Sequence, residues 1–184
     1  MLSVMEPPRV EVGDDVAPVV EAARGGDASA FADLYRRFSR SVHAVLLGRL
    51  DPEEAREAAQ EVFLTVHRKL GELQDAAAFG PWVHAIARNL AVSRLRKLRA
   101  RPVEEPLRDV AAPPRDNDEL RERVLDVLRS LPEAYRETLM MRLVEGLTGP
   151  EIAAATGLAP ASVRVNLHRG MELLRPLLKK EGWR

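Results

Sequence analysis

Apolar residues recur every three or four positions through most of the chain, which is the spacing of one face of an α-helix. The first such segment, residues 16–24, ends at Gly25-Gly26. Asp27 can cap a second helix, because its side chain can accept hydrogen bonds from the first free backbone N–H groups. This helix is expected to bury an apolar face that consists of Phe31, Leu34, Tyr35, Phe38, Val42 and Leu46.

Two more helices are predicted before residue 101. Asp51-Pro52 places a capping residue directly before a proline at the first helical position, and this third helix extends to about Leu70. Residues 71–80 are predicted to form a loop, and Pro81 to start the fourth helix. The expected buried residues are Ala55, Ala59, Val62, Phe63 and Val66 in the third helix and Trp82, Ile86, Leu90 and Leu95 in the fourth.

The helical pattern is then interrupted. Residues 101–119 contain four prolines and six acidic residues without sustained periodicity, as is typical of a linker. Helical segments follow at about residues 117–130, 132–145, 149–156 and 160–180. The chain is therefore predicted to be all-α, with two small helical domains joined by a flexible Pro-rich linker. The predicted boundaries are a flexible arm over residues 1–16, a first domain over 17–100, the linker over 101–118 and a second domain over 119–184.

The second domain contains the pattern of a helix-turn-helix. Thr148 and Glu151 have the spacing of a capping box at the start of a short helix. Gly157 can end that helix in a left-handed conformation, and Pro160 can start the next. Ala153 is the small residue expected where the two helices touch. The shared core is expected to consist of Ile152, Leu158, Val163 and Leu167.

Hydrogen-bond donors crowd the first half of the last helix, and no acidic residue lies between Ala161 and Met171. In a helix-turn-helix this part enters the major groove, where Arg can bind guanine, Asn adenine and Val a thymine methyl group. A helical hairpin with a solvated charged face is the alternative, but the concentration of donors favours DNA. The candidate DNA-binding residues are Ser162, Arg164, Val165, Asn166, His168 and Arg169, with Lys179 or Lys180 as further phosphate ligands.

Six cations and no acid lie between residues 87 and 101. A helix C-terminus attracts cations through its dipole, at about 1 kcal/mol each or less, which accounts for two or three of them. Phosphate binding accounts better for the excess, and Asn89 and Ser93 can add hydrogen bonds. The cations are Arg88, Arg94, Arg96, Lys97, Arg99 and Arg101.

The third helix starts with five acidic residues over positions 51–61 and Arg56 as the single cation. Glu53, Glu57 and Glu61 share one face, an arrangement that is mildly destabilising in isolation. Docking onto a basic protein partner would explain this stripe, and solvation with favourable dipole placement is an equal alternative from these residues alone. A di-metal carboxylate site is rejected, because no histidine follows a glutamate by three positions. The four histidines are expected to be partly exposed helix residues.

Composition limits the classes of protein and of functional site that this chain can represent. The formal net charge is zero, so any basic surface must be local. Without cysteine, the chain can form neither disulfides nor thiolate metal sites. No apolar run is long enough to span a membrane, and the first 15 residues lack the pattern of a signal peptide, so a cytoplasmic protein is expected. No Ser/His/Asp set, phosphate-binding glycine loop or metal spacing is present, so we expect neither enzymatic activity nor a cofactor.

Three segments, taken in order, resemble the extracytoplasmic-function (ECF) sigma factors of bacterial RNA polymerase. EEAREAAQEVFLTVHRKL, residues 53–70, is similar to the segment that binds the polymerase clamp. FGPWVHAIARNLAVSRLRKLRAR, residues 79–101, is similar to the segment that reads the minus-ten element and holds the opened strand. LPEAYRETLMMRLVEGLTGPEIAAATGLAPASVRVNLHRG, residues 131–170, is similar to the domain that reads the minus-thirty-five element. The resemblance covers about residues 27–101 and 130–178.

The resemblance implies a role for each surface. The acidic helix would bind the clamp helices of core RNA polymerase through Glu57, Gln60, Glu61 and Phe63. The opened minus-ten strand would be held by Arg88, Asn89, Ser93, Arg94, Arg96 and Lys97. Within the loop Leu73–Phe79, Gln74 and Asp75 would read a flipped base. The second domain would read minus-thirty-five through the residues named above and contact the flap region of the polymerase. An anti-sigma protein is the expected regulatory partner, and no membrane insertion is expected.

The chain departs from the family pattern at several positions. Glu57 stands where Asp is usual, and His67 where Trp is usual. Val165 and Asn166 replace a frequent Ser and Arg, so the usual upstream-element preference does not carry over. Gly170 interrupts the last helix where Ala is usual, at a cost of about 1 kcal/mol.

A free-standing helix-turn-helix regulator that ignores polymerase is the alternative function. It explains the second domain, but it gives no role to the acidic helix or to the six cations. Binding to core polymerase separates the two hypotheses.

Overall fold

The computed structural model describes residues 15–100 and 116–180. The predicted arm and most of the predicted linker lie outside these residues. The first helical group comprises α1 (Val16–Arg24), α2 (Ala28–Leu47), α3 (Pro52–Lys69) and α4 (Phe79–Ala100). The second helical group comprises α5 (Asp116–Arg129), α6 (Glu133–Leu139), α7 (Gly149–Thr156) and α8 (Pro160–Lys180), with α6 extended by a π-helical turn, Met140–Val144. The all-α class and the helix-turn-helix are confirmed.

Capping side chains set the starts of the long helices. The carboxylate of Asp27 accepts hydrogen bonds from the backbone N–H groups of Ser29 (2.8 Å) and Ala30 (3.2 Å), and these bonds, together with one from the Ser29 hydroxyl, lower its pKa. Asp51 accepts a hydrogen bond from the backbone N–H of Glu54 at 2.8 Å. Both caps are at the predicted positions, because this signal is local to the sequence.

Helix α4 differs from its prediction. It begins at Phe79 rather than Pro81, and two 3₁₀ turns, Leu70–Glu72 and Ala76–Ala78, occupy the predicted loop. Its buried face is rotated by about one position, so that the four residues predicted to point inward are only half-buried at the edges of the core. Over residues 79–97 of this helix, the buried residues are Phe79, Gly80, Val83, His84, Ala87 and Ala91.

Two apolar residues predicted to be buried are exposed. Tyr35 on α2 is 46% exposed, although its ring contacts that of Phe63. Leu158, in the turn before α8, is 39% exposed. The remaining buried side chains form one continuous apolar core that extends from Val20 in α1 to Leu174 in α8. The two helical groups therefore pack directly against each other.

Gly170 has a packing role. It is buried, and a methyl group at its Cα would lie 2.8 Å from Leu139 Cδ1 and 3.3 Å from Tyr135 Cβ. Glycine lowers the helix propensity at this position, but its lack of a side chain permits the close approach of α8 to α6. Close packing against α6 thus explains why this chain has glycine where alanine is usual in the family.

We expect Gly170→Ala to lower the free energy of unfolding by about 1 kcal/mol or more, because overpacking exceeds the gain in helix propensity. Gly149→Ala is the matched control, since no atom lies within 4 Å of the added methyl group. Urea denaturation of both variants measures the difference. A Gly170→Ala protein more stable than wild type would contradict the packing argument.

His84 is fully buried, so the prediction of a partly exposed residue is wrong for this histidine. The Ser41 hydroxyl donates to the Phe38 carbonyl at 3.0 Å and accepts from His84 Nε2–H at 2.9 Å. Nδ1 of His84 is then unprotonated, and it has no hydrogen-bond partner among the described residues. Burial, with a contribution from the charge of Arg88, lowers the pKa of His84 to about 3.

This lowered pKa predicts acid sensitivity. Below pH 6.5 the unfolded chain protonates His84 while the folded chain does not, so the free energy of unfolding falls as the pH decreases towards 3, by at most about 1.4 kcal/mol per pH unit. His84→Gln can still donate to Ser41 but does not titrate. We expect urea denaturation between pH 7 and 5 to give a shallower pH dependence for this variant. Equal slopes for the two proteins would refute the assignment.

Candidate protein and nucleic-acid interfaces

Helix α3 presents an acidic face to solvent. Glu57, Gln60 and Glu61 are exposed on one side of the helix, with side-chain exposures of 68% for Glu57 and 49% for Glu61. Leu64, one turn further on, is 64% exposed, although it is a large apolar residue. We call Glu57, Gln60, Glu61 and Leu64 the acidic face. An apolar side chain among carboxylates is suited to a partner with both cationic and apolar groups.

Phe63 is placed differently from its three predicted companions. It is only 5% exposed, and its ring centroid lies 4.6 Å from that of Tyr35 on α2. Phe63 therefore supports the acidic face from below rather than forming its surface. Leu64 is a member of this face that was not predicted, although its position seven residues after Glu57 places it on the same side of the helix.

The cations of α4 are divided among three environments. Arg94 faces α3, where its guanidinium lies 2.9 Å from a carboxylate oxygen of Glu61 and 3.6 Å from one of Glu57. It also donates to the backbone carbonyl of Glu54 at 3.4 Å. Burial raises the pKa of Glu54, and the nearby charge of Asp51 adds to this rise. Arg94 thus partly neutralises the acidic helix.

Arg88 is on a different side of α4 and faces the second helical group. Its Nε and Nη2 atoms donate to the two carboxylate oxygens of Glu137 on α6, at 3.0 and 3.1 Å. Such a bidentate geometry is the strongest common form of an arginine–carboxylate pair. This pair orients the guanidinium away from the exposed surface of α4.

The third environment is solvent. Asn89, Ser93, Arg96 and Lys97 are exposed, and their spacing of i, i+4, i+7 and i+8 places them on one side of α4. We call these four residues the basic face. The sequence pattern could not separate them from Arg88 and Arg94, because its cations are distributed over all sides of the predicted helix. The side chains of Arg99 and Arg101 lie outside the part of the chain that the structure describes.

The loop Leu73–Phe79 precedes the basic face. Gln74 is exposed, whereas the carboxylate of Asp75 accepts a hydrogen bond from the backbone N–H of Ala77 at 3.0 Å and thereby caps the 3₁₀ turn. Arg24, at the end of α1, donates to the backbone carbonyls of Leu73 and Leu70. Helix α1 therefore holds the start of this loop in position.

The helix-turn-helix has the predicted local chemistry. The backbone N–H of Thr148 donates to Glu151 at 2.6 Å, and the Thr148 hydroxyl accepts from the N–H of Glu151, so the capping box is complete. Although burial acts in the opposite direction, the hydrogen bonds from Thr148 lower the pKa of Glu151. Gly157 has φ of 72°, the left-handed conformation. Ile152 and Val163 are buried between the two helices.

Helix α8 buries one side of its first half and exposes the other. Val163 and Gly170 are buried, and Leu167 is half-buried. Asn166 is also half-buried, on the flank of the helix, so it is less accessible than its predicted companions. His168 is exposed and lies 3.5 Å from Glu172. The candidate residues that are exposed to solvent are Ser162, Arg164, Val165, His168 and Arg169.

Two negative findings concern the described residues 15–100 and 116–180. None of their helices combines the length and the apolar character needed to cross a membrane. They also contain no group of three or more His, Asp or Glu side chains arranged to hold a metal ion.

Comparison with known proteins matches both helical groups to one family. The family described as "Sigma-70 region 2" matches residues 34–101, and "Sigma-70, region 4" matches residues 121–174. The "RNA polymerase sigma factor CarQ" of Myxococcus xanthus is 35% identical over 165 residues, which cover 86% of this chain and 95% of that protein. The chain belongs to the ECF sigma factors. It binds core RNA polymerase and directs promoter-specific initiation of transcription.

Other members of the family have similar sequence identities and coverages. The "ECF RNA polymerase sigma factor SigM" of Mycobacterium tuberculosis is 31% identical, with 88% of this chain and 84% of that protein covered. The "ECF RNA polymerase sigma-E factor" of Escherichia coli K12 is 28% identical, with coverages of 88% and 95%. Among solved structures, "CnrH in complex with the cytosolic domain of CnrY" has a TM-score of 0.59 at 22% identity, covering 91% of this chain and 99% of that chain. This likeness shows a shared fold.

Proposed function

We propose that this ECF sigma factor divides its work among the three surfaces described above. The acidic face binds the clamp helices of polymerase, the basic face of α4 holds the opened minus-ten strand, and the exposed side of α8 reads minus-thirty-five. The observation that carries the proposal is the segregation of charge on a chain with zero net charge. Promoter-specific recruitment needs opposite charges on separate surfaces, because polymerase and DNA must be bound at the same time.

Polymerase docking rests on Glu57, Gln60 and Glu61, with Leu64 added at the centre of the interface. Exposed carboxylates steer association with a basic partner, and a desolvated apolar side chain contributes the affinity. Phe63 acts through its packing under this face. Contacts between the second helical group and the flap region complete the proposed docking.

Promoter reading rests on two sets of residues. In the opened minus-ten strand, Arg96 and Lys97 neutralise phosphates, Asn89 and Ser93 add hydrogen bonds, and Gln74 and Asp75 contact the flipped base. Arg88 and Arg94 join this set only when their present carboxylate partners release them. At minus-thirty-five, Arg164 and His168 contact base edges, Val165 meets a thymine methyl group, and Ser162, Asn166 and Arg169 bind at the flanks.

The remaining proposals concern the setting of this activity. The chain itself performs no covalent chemistry, since the polymerase makes the RNA. Because its partners are polymerase and promoter DNA, we place the protein in the cytoplasm. An anti-sigma protein is its proposed regulator. The support is that CnrH, which shares the fold, was solved in complex with another protein.

We expect Glu57→Lys/Glu61→Lys to abolish binding to core polymerase, because charge reversal repels a cationic surface. Leu64→Ala is expected to weaken binding about tenfold, as for the loss of a central apolar contact. Leu64 is mostly exposed, so this change leaves folding nearly unaffected. Pull-down and fluorescence anisotropy with core polymerase measure both effects.

Matched controls are Glu21→Lys on α1 and Leu173→Ala on α8, which make the same chemical changes away from the acidic face. Wild-type affinity in the Glu57→Lys/Glu61→Lys protein would refute the docking proposal. DNA binding that persists while core polymerase is ignored would favour the free-standing regulator.

We expect Arg96→Ala/Lys97→Ala to destabilise the open promoter complex of the holoenzyme, because two phosphate contacts are lost. The slope of log affinity against log salt concentration should decrease in magnitude by about 0.7 for each contact with single-stranded DNA. Arg68→Ala, an exposed cation of α3, is the control. Promoter affinities of the holoenzyme at several KCl concentrations measure the slope, and an unchanged slope would contradict the role of the basic face.

A further inference from the structure

Helix α1 is bound to the loop that is proposed to read the flipped base. Its last residue, Arg24, donates from Nε to the backbone carbonyl of Leu70 at 3.4 Å and from Nη2 to the backbone carbonyl of Leu73. These two carbonyls lie at either end of the 3₁₀ turn Leu70–Glu72. The backbone N–H of Leu73 also donates to the Leu70 carbonyl, at 3.3 Å. One guanidinium therefore fixes the path of the backbone on both sides of this turn.

The carbonyl of Leu73 belongs to the same peptide group as the backbone N–H of Gln74. Because a peptide group is planar, a hydrogen bond to this carbonyl also fixes the direction in which the backbone enters Gln74. Leu73 is 7% exposed, whereas Gln74 is exposed to solvent. Arg24 thus acts on the backbone directly before a side-chain amide that can both donate and accept hydrogen bonds.

The other side of Gln74 is anchored within the loop itself. The carboxylate of Asp75 accepts a hydrogen bond from the backbone N–H of Ala77 at 3.0 Å, and its backbone carbonyl accepts one from Ala78 at 3.0 Å. Ala76 is 8% exposed and belongs to the core. Gln74 is therefore held between two anchors, one from its own loop and one from α1.

Arginine is suited to this position, because its guanidinium has five N–H donors in one rigid plane. Lysine has a single nitrogen, which cannot reproduce two separate donors with a fixed spacing. The third nitrogen of Arg24, Nη1, lies 2.7 and 2.9 Å from the carboxylate oxygens of Glu21. Glu21 is 56% exposed, so this ion pair contributes little, and the bonds to the loop carbonyls are the important ones.

Packing of α1 holds Arg24 beside the loop. Val20, one turn earlier, is fully buried, and α1 contacts α2 and both 3₁₀ turns. A cation in the last turn of a helix is also favoured by the helix dipole. Helix α1 belongs neither to the acidic face nor to the DNA-reading surfaces, so its effect on recognition is indirect.

We propose that Arg24 is a positioning residue for promoter recognition: it aims Gln74 at the flipped minus-ten base and thereby sets the base preference at that position. The proposal rests on the proposed function for the role of the loop. No contact between α1 and DNA is required. Because Arg24 acts through the peptide group between Leu73 and Gln74, its loss relaxes the choice of base without removing a DNA contact.

The test uses the holoenzyme and a promoter identified by sequencing the transcripts of the parent protein. The minus-ten element of this promoter is randomised, and sequencing of template and transcript gives the base preference at every position. Gln74→Ala identifies the position that the loop reads. At that same position, Arg24→Ala should lower the preference by about fivefold or more, the value of one base contact, and it should leave the other positions unchanged.

The double variant Arg24→Ala/Gln74→Ala distinguishes positioning from a separate contact. If Arg24 acts through Gln74, the double variant should lose no more preference than Gln74→Ala alone. Arg24→Lys keeps the charge and can reach one of the two carbonyls, so it should recover part of the preference. Arg36→Ala is the matched control, because Arg36 pairs with Asp33 three positions earlier, at 2.9 Å, as Arg24 does with Glu21. This control should leave every preference unchanged.

A purely structural role of Arg24 gives a different result. A smaller folded fraction, which circular dichroism detects, lowers transcription from all members of the library equally and leaves the ratio between bases unchanged. Such an unchanged ratio, or independent losses in the double variant, would refute the positioning role while the proposed function stands. If Gln74→Ala itself alters no preference, the proposed reading by the loop fails, and the role of Arg24 fails with it.

Discussion

The close packing of α4 among its neighbours is the constraint on which the other features depend. The later part of its buried face is built from two small side chains, Ala87 and Ala91. α2 and α3 can therefore approach closely, and this fixes which side of α4 meets each neighbour. Arg94 then meets the carboxylates of α3, Arg88 meets Glu137 of the second helical group, and the basic face is left to solvent. One helix thus links the acidic face, the basic face and the contact between the two helical groups.

Charge segregation follows from this packing rather than from composition. A chain with equal numbers of acidic and basic residues has no long-range attraction for DNA, so its recognition must be local. The carboxylates of α3 and the cations of α4 lie on adjacent helices, and Arg94 between them reduces the repulsion along the acidic stripe. Glu57 and Glu61 share Arg94, so this side chain ties the acidic face to α4, the helix that carries the basic face.

Features that depend on short stretches of sequence could be predicted, and those that depend on distant contacts could not. The caps at Asp27 and Asp51 and the helix-turn-helix turn at Gly157 are local, and the structure has them where the sequence indicates. The buried face of α4 was misplaced, because both of its flanks contact other helices and the apolar pattern is broad. Burial of His84 depends on Ser41, 43 positions earlier, and the partners of Arg88 and Arg94 lie 49 and 33 positions away. The residues that neighbour His84, Arg88 and Arg94 in sequence do not indicate these distant partners.

This chain selects where polymerase begins transcription. Sequencing the 5′ ends of transcripts made by core polymerase on bacterial genomic DNA, with and without the protein, tests this most directly. We expect new start sites that appear only with the protein and share sequence elements near minus-ten and minus-thirty-five. Identical transcripts in the two reactions, with the protein folded and present in excess, would contradict it.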